Sequence, residues 1–347
     1  MKLNLSDPNI LTGFLGTYAS SRSTGIYRFT LDTDTGQLSV PELYYEAPDC
    51  KYLSLYKGLL ASPVQKKGSA GICLLDVTQP QPQLLDELYE EEGTSCFITQ
   101  DENFICTANY HEGLVLVYQK TGQKLSLCKK IIIAPKAGCH QVLFHDGYLL
   151  VPCLLLDEIR IFDSRNDFQP AGTISFPYGT GPRHGIFTRD HRHLFVVSEL
   201  SNELFVFAAE KRAADRETDA APLFRLLSTH PLLKGHADTD TAPTSAAVRL
   251  SPDERHLYIS TRYADVISVF AIENGHVTMI QQTSCGGTHP RDIVLSPDGR
   301  YLLVANRTTG GLVCFPVNQD DGKLEPICAR VPVFEAVSIV LDQTNPL

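Results

Sequence analysis

The sequence predicts an all-β protein, a seven-bladed β-propeller of four-stranded antiparallel blades, and three observations predict it. One strand type recurs with a period near 45 residues, a hairpin precedes most copies, and the two ends of the chain carry complementary halves of one hairpin. The recurring strand ends in an aromatic or large apolar residue: GIYRF (25–29), GICLL (71–75), LVLVY (114–118), EIRIF (158–162), ELFVF (203–207), VISVF (266–270) and GLVCF (311–315). Successive copies end 46, 43, 44, 45, 63 and 45 residues apart. The long step holds AEKRAADRETDAAP (209–222), so a charged, Ala-rich surface insertion is expected over about 209–235, with a short helix as one form it could take.

The hairpin is clearest in VRLSPDERHLYIST (248–261) and DIVLSPDGRYLLVAN (292–306), where short apolar strands flank a turn of Ser, Pro, Asp and Gly. Those residues supply a fixed φ, side-chain caps and positive φ. Weaker copies are YLSLYKGLLAS (52–62), CFITQDENFICTA (96–108), VLFHDGYLLVP (142–152) and IFTRDHRHLFVVS (186–198). ILTGFLGTY (10–18) is a second strand without a first, and FEAVSIVL (334–341) is a first strand without a second. Pairing them closes the ring and removes the edges that an open array would leave unpaired. Seven units absorb the whole length, which predicts one domain over 1–347. The absence of Trp excludes the WD-repeat class.

Composition bounds the function. Hydrophobic residues make up 43% and charged residues 20%, as in ordinary globular proteins. A net charge of −10 with no Lys/Arg run argues against nucleic acid and anionic membrane as partners. No apolar stretch reaches the ~18 residues of a membrane span, and MKLNLSDPNI lacks the apolar core of a signal peptide, so a cytoplasmic location is expected. Ten cysteines show no CxxC pair and fall mostly in apolar runs, which predicts buried free thiols; no HExxH helix suggests a metal, and HRH (191–193) falls at an expected turn. Nothing in the sequence sets an oligomeric state.

In a blade the start of the innermost strand and the end of the second strand reach the same rim. The first-strand starts bring His140, Arg183, His184 and Arg291 to it, and the second-strand ends bring Asn109, Glu199, Arg262, Asn306 and Arg307. Arginines gathered in an acidic protein point to a small anionic ligand. They could equally pair between blades, Glu199 with Arg183 or Arg262, and hold the ring together. Cys139 and His140 are adjacent on a strand and point to opposite faces, which argues against a thiol and base pair. No GxSxG elbow is present.

GPRHGIF followed by VVSEL, GCHQV followed by VPCLLLDEIRIFD, and HPRDIVLSPDGRYLLVANR resemble the lactonase seven-bladed propeller family, from GTYAS near residue 16 to the final VSIV. That family includes a bacterial 6-phosphogluconolactonase and fungal carboxy-muconate lactonizing enzymes. The resemblance implies catalytic roles for His140, Arg183, Glu199 and Arg262, with Arg291 matching the PR motif of a later blade. Ser198, Thr261 and Ala247 depart from the residues usual at their positions.

The resemblance further implies hydrolysis of a sugar lactone without a metal or other cofactor, foremost 6-phosphogluconolactone, in the pentose phosphate pathway. Glu199 or His140 would activate water, Arg183 and Arg262 would stabilise the oxyanion, and Arg291 with His184 or His289 would clamp a phosphate, with Asn109 and Asn306 as further substrate contacts. Two alternatives stand beside it: cycloisomerisation of an unsaturated carboxylate, and a non-catalytic propeller that binds a small anion or a protein.

Overall fold

The structure, a computed structural model, describes residues 9–342 apart from 67, 211–221, 236–239 and 274. Its strands form seven four-stranded antiparallel sheets arranged as the blades of a propeller. Blade 1 is the composite one: the C-terminal strand Ala336–Leu341 is innermost and pairs with Ile10–Thr17, Leu15 opposite Ile339. The inner strands of blades 2 to 7 are Ser54–Tyr56, Phe97–Gln100, Leu143–His145, Pro182–Phe187, Thr244–Leu250 and Thr288–Leu295.

Position within the blade explains the burial patterns. The recurring strands of the sequence are the third strands, and Leu114–Tyr118 is buried on both faces because a neighbouring blade covers each side. The fourth strand is the outer edge of the blade, so Leu223–Pro231 is largely exposed. Apolar clusters fill the gaps between blades, as where Phe14 and Ile26 of blade 1 meet Leu60, Val64 and Cys73 of blade 2. Truncating such a side chain to Ala costs about 2–5 kcal/mol.

The two SPD turns show how sequence sets local geometry. Ser296 Oγ donates to Asp298 at 2.5 Å and accepts from the Tyr301 N–H at 3.0 Å. Ser251 repeats this with Asp253 at 2.6 Å and His256 N–H at 2.9 Å. Both turns need positive φ four residues in, which Gly299 adopts freely at 72° and Glu254 must adopt at 60°.

The long repeat step takes in two long connections, one between the third strand of blade 5, Glu203–Glu210, and its fourth, Leu223–Pro231, and one from Pro231 to the inner strand of blade 6 at Thr244. Within the expected insertion of about 209–235, residues 223–231 are regular strand; residues 211–221, where a short helix is one expected form, and 236–239 lie outside the described ones. Of the ten cysteines seven are buried, Cys96 and Cys328 are intermediate and Cys128 is exposed. His191 sits at its turn but is only half exposed, because it stacks on Phe187 and His145 at centroid distances of 5.5 and 5.4 Å. No helix among the described residues is long and apolar enough to cross a membrane.

Candidate active site

Irregularities in the inner strands aim the side chains of one rim. In blade 5 Pro182 pairs with Ser198 but His184 with Val197, so the ladder bulges at Arg183. Blade 6 breaks between Ser245 and Val248, and blade 7 breaks on both sides of Pro290, next to Arg291. A bulge turns one side chain out of the strand's alternation and frees a backbone group. Both consequences are visible here: Arg183 and His184 are adjacent yet both point inward, and the freed Ala246 carbonyl accepts a hydrogen bond from Arg183 Nη1.

Glu199 lies at the centre. Its Oε2 accepts from Arg183 Nε at 2.7 Å and from Arg262 Nη2 at 3.0 Å. Arg262 also donates to the carbonyls of Thr244 and Ser245 at 3.4 and 3.3 Å. The cluster therefore ties blade 5 to blade 6, as the inter-blade alternative anticipated, and at the same time presents a half-buried carboxylate. Burial works to raise the Glu199 pKa, but the Arg183 and Arg262 charges outweigh it and hold the group at about 2. Burial also lowers Arg262 to about 10, which leaves it protonated at neutral pH.

His140 stands beside this cluster. Its ring meets His184 and Tyr110 edge-on at 5.0 and 5.9 Å, and its buried Nδ1 has no hydrogen-bond partner among the described residues. Burial, and then the Arg183 charge, hold its pKa well below the usual imidazole value; the same two causes act on His184, which packs against Tyr52 and Phe97. His289, edge-on to Tyr263, is lowered to about 3 by burial and by Arg262, Arg291 and Arg307. All three imidazoles are neutral at pH 7, so positive charge at this rim comes from arginine and lysine.

The structure thus brings His140, Arg183, His184, Glu199, Arg262, His289 and Arg291 to one mouth. Asn109 and Asn306 are directed elsewhere. Asn109 Nδ2 lies 2.7 to 2.8 Å from Glu91, which ends the fourth strand of blade 2, from Gly93 O in the connection to blade 3, and from Glu112. Asn306 is fully buried in blade 7 and donates to Cys285 O at 3.2 Å. Sequence reasoning passed over Tyr18, Lys51, Cys96 and Tyr110, although Tyr18 and Lys51 occupy the rim positions of ILTGFLGTY and KYLSL. Among the described residues no group of three or more His, Cys, Asp or Glu is placed to hold a metal ion.

The family described as Lactonase, 7-bladed beta-propeller matches residues 12–341. The chain belongs to this family. It is 27% identical over 343 residues to the 6-phosphogluconolactonase of Bacillus subtilis, covering 92% of this chain and 95% of that protein. A solved structure of a protein from Lactobacillus plantarum superposes with a TM-score of 0.86 at 26% identity, covering 96% of this chain and 99% of the other. The periplasmic gluconolactonase PpgL of Pseudomonas aeruginosa superposes with a TM-score of 0.84 over 96% and 99% of the two chains; at 22% identity that likeness concerns the fold.

Proposed function

We propose that this member of the lactonase family is a carboxylic-ester hydrolase that opens a sugar lactone, with 6-phosphogluconolactone as its preferred substrate. The observation that carries the reading is a neutral imidazole, His140, whose Nδ1 has no hydrogen-bond partner among the described residues, beside a carboxylate held by two arginines. Family membership and the Bacillus subtilis relative support it.

The protonation states divide the roles. Glu199, held near pKa 2 by its arginines, already accepts from both at Oε2, and its ionised carboxylate positions Arg183 and Arg262. His140 is unprotonated and takes the proton as water attacks the lactone carbonyl, a role worth ~10²–10⁴-fold in rate. Arg183 and Arg262 stabilise the oxyanion of the tetrahedral intermediate. As the ring C–O bond breaks, the imidazolium returns its proton to the departing alkoxide, which leaves the hydroxy acid. The pathway on this reading is the pentose phosphate pathway, and a reducing cytoplasm suits ten free cysteines.

The test is lactone hydrolysis with the spontaneous rate subtracted, on 6-phosphogluconolactone and on gluconolactone. We expect turnover of both, a preference for the phosphorylated compound, and at least a tenfold loss in Arg183→Ala and His140→Ala. Because the His140 pKa lies well below 6.5, kcat/KM should stay level from pH 8 to 6, with the acid limb below that. No hydrolysis of either lactone, or wild-type rates in both variants, would remove this assignment.

A further inference from the structure

Beside the Glu199 cluster, where blades 7, 1 and 2 meet at the ring closure, three cations surround one phenol. Lys51 Nζ, Arg291 Cζ and Arg307 Cζ lie 6.0, 5.9 and 4.7 Å from the centroid of the Tyr18 ring. Arg291 Nη2 also donates to the Tyr18 hydroxyl at 3.2 Å. Arg307 is neutralised by Glu335 at 2.8 Å. Among the described residues, neither Lys51 nor Arg291 has a carboxylate at ion-pair distance, although other exposed and half-buried cations of this acidic chain do. Both charges reach the mouth: the Cys96 thiol, which burial pushes up to about 11, is drawn down by Arg183, Lys51 and Arg291. Arg291 also acts on His140, Arg183 and Arg262, so it adjoins the cluster, and Lys51 stands on the same Tyr18 ring.

We propose that Lys51 and Arg291, oriented by Tyr18, form a phosphate subsite that makes the enzyme selective for phosphorylated substrates, resting for the identity of the reaction on the lactonase reading above. Arg183 and Arg262 already share the charge of Glu199. Two further cations without an acidic partner among the described residues match a phosphate monoester, which carries about −1.5 to −2 at pH 7, better than a carboxylate, which carries one charge. A guanidinium offers paired donors to phosphate oxygens and an ammonium adds a point charge. Cation–π contact holds both over the ring without neutralising them. Lys51 and Tyr18 are thereby specificity-determining residues, and His184 and His289, being neutral, are not the source of charge for the clamp.

The experiment compares wild type with Lys51→Met, Arg291→Gln, Arg291→Lys and Tyr18→Phe, each first shown to be folded by its circular dichroism and melting curve. Two quantities are read: the ratio of kcat/KM on 6-phosphogluconolactone to that on gluconolactone, and the affinity for inorganic phosphate by calorimetry, which needs no turnover. Lys51→Met and Arg291→Gln should each lower the ratio and the phosphate affinity at least tenfold. Arg291→Lys should recover part of both, and Tyr18→Phe should lower both severalfold. If the wild type hydrolyses the lactones while both quantities stay within twofold in Lys51→Met and Arg291→Gln, the subsite is overturned and the lactonase reading stands. If it hydrolyses neither, yet the variants lose phosphate affinity tenfold, the reaction is wrong and the subsite survives. Tighter binding of acetate than of phosphate would assign these cations to a carboxylate and overturn the proposal.

Discussion

The Arg249–Asp292 pair and the Arg183–Glu199–Arg262 cluster are built from the same chemistry and differ in balance. Arg249 Nη2 meets Asp292 Oδ1 at 2.7 Å, linking the inner strands of blades 6 and 7. Asp292 also accepts the N–H of Ile293 and of Ile339 at 3.0 Å, and so reaches the composite blade 1. One cation faces one anion, and backbone donors occupy the remaining carboxylate valences. At Glu199 two arginines face one carboxylate, with Lys51 and Arg291 beyond them and, among the described residues, no acidic partner for either. A balanced buried pair joins blades, whereas an excess of positive charge is stable only where an anion or water can answer it. The second arrangement is therefore the better place for a negatively charged transition state.

The largest test of that contrast is Glu199→Gln. It should lower kcat/KM by ~10²-fold or more, within the range for loss of general acid–base or electrostatic catalysis, as read by lactone hydrolysis in protein confirmed to be folded. Asp292→Asn should do the opposite. Leaving Arg249, whose side chain is 25% exposed, without its carboxylate should cost up to about 3 kcal/mol in denaturant unfolding, with turnover per folded molecule kept. An equal loss of turnover in Asp292→Asn would mean that the two clusters act as one unit.

A smaller effect comes from the neutral imidazoles. His140, His184 and His289 have folded pKa values below the ordinary 6.5, so the unfolded chain takes up their protons first as pH falls. The stability they permit is complete above about pH 6.5 and declines below it. Glu199 acts in the same direction lower down: its folded value near 2 against 4.5 means that its contribution is lost as pH falls from about 4.5 towards 2. His184→Asn should make the decline between pH 6.5 and 5 shallower by up to one proton, ~1.4 kcal/mol per pH unit, in denaturant titrations at several pH values. The smallest expected effect belongs to the exposed Lys57–Glu102 pair, whose side chains are 66% and 63% exposed. Glu102→Gln should leave the melting midpoint where it is, because solvent screens the pair.

The repeat was legible because blade strands have a fixed length and each must be covered by its neighbours, which prints one apolar pattern every 45 residues or so. Ring closure was legible for the same reason, as FEAVSIVL and ILTGFLGTY are halves of one pattern. The rim rule found Arg183, Glu199, Arg262 and Arg291, since strand ends converge wherever inner and second strands meet. It failed to separate Asn109 and Asn306, which stand at equivalent strand ends but are engaged by the end of the preceding blade and the connection from it. Their orientation depends on Glu91, Gly93 and Cys285, outside the hairpin pattern.

By itself the sequence determined the all-β class, the blade count, the composite closing blade and the rim that collects the arginines. All of these follow from local periodicity and turn chemistry. Only the tertiary structure decided how the charges pair and which of them remain unpaired. Strand alternation would send Arg183 and His184 to opposite faces, but the bulge turns both inward, and no residue pattern in PRHGIF marks it. Protonation was decided in the same way. Whether His140 is neutral and Glu199 ionised depends on burial and on arginines brought from two blades, and in three dimensions these outweigh the groups' ordinary values.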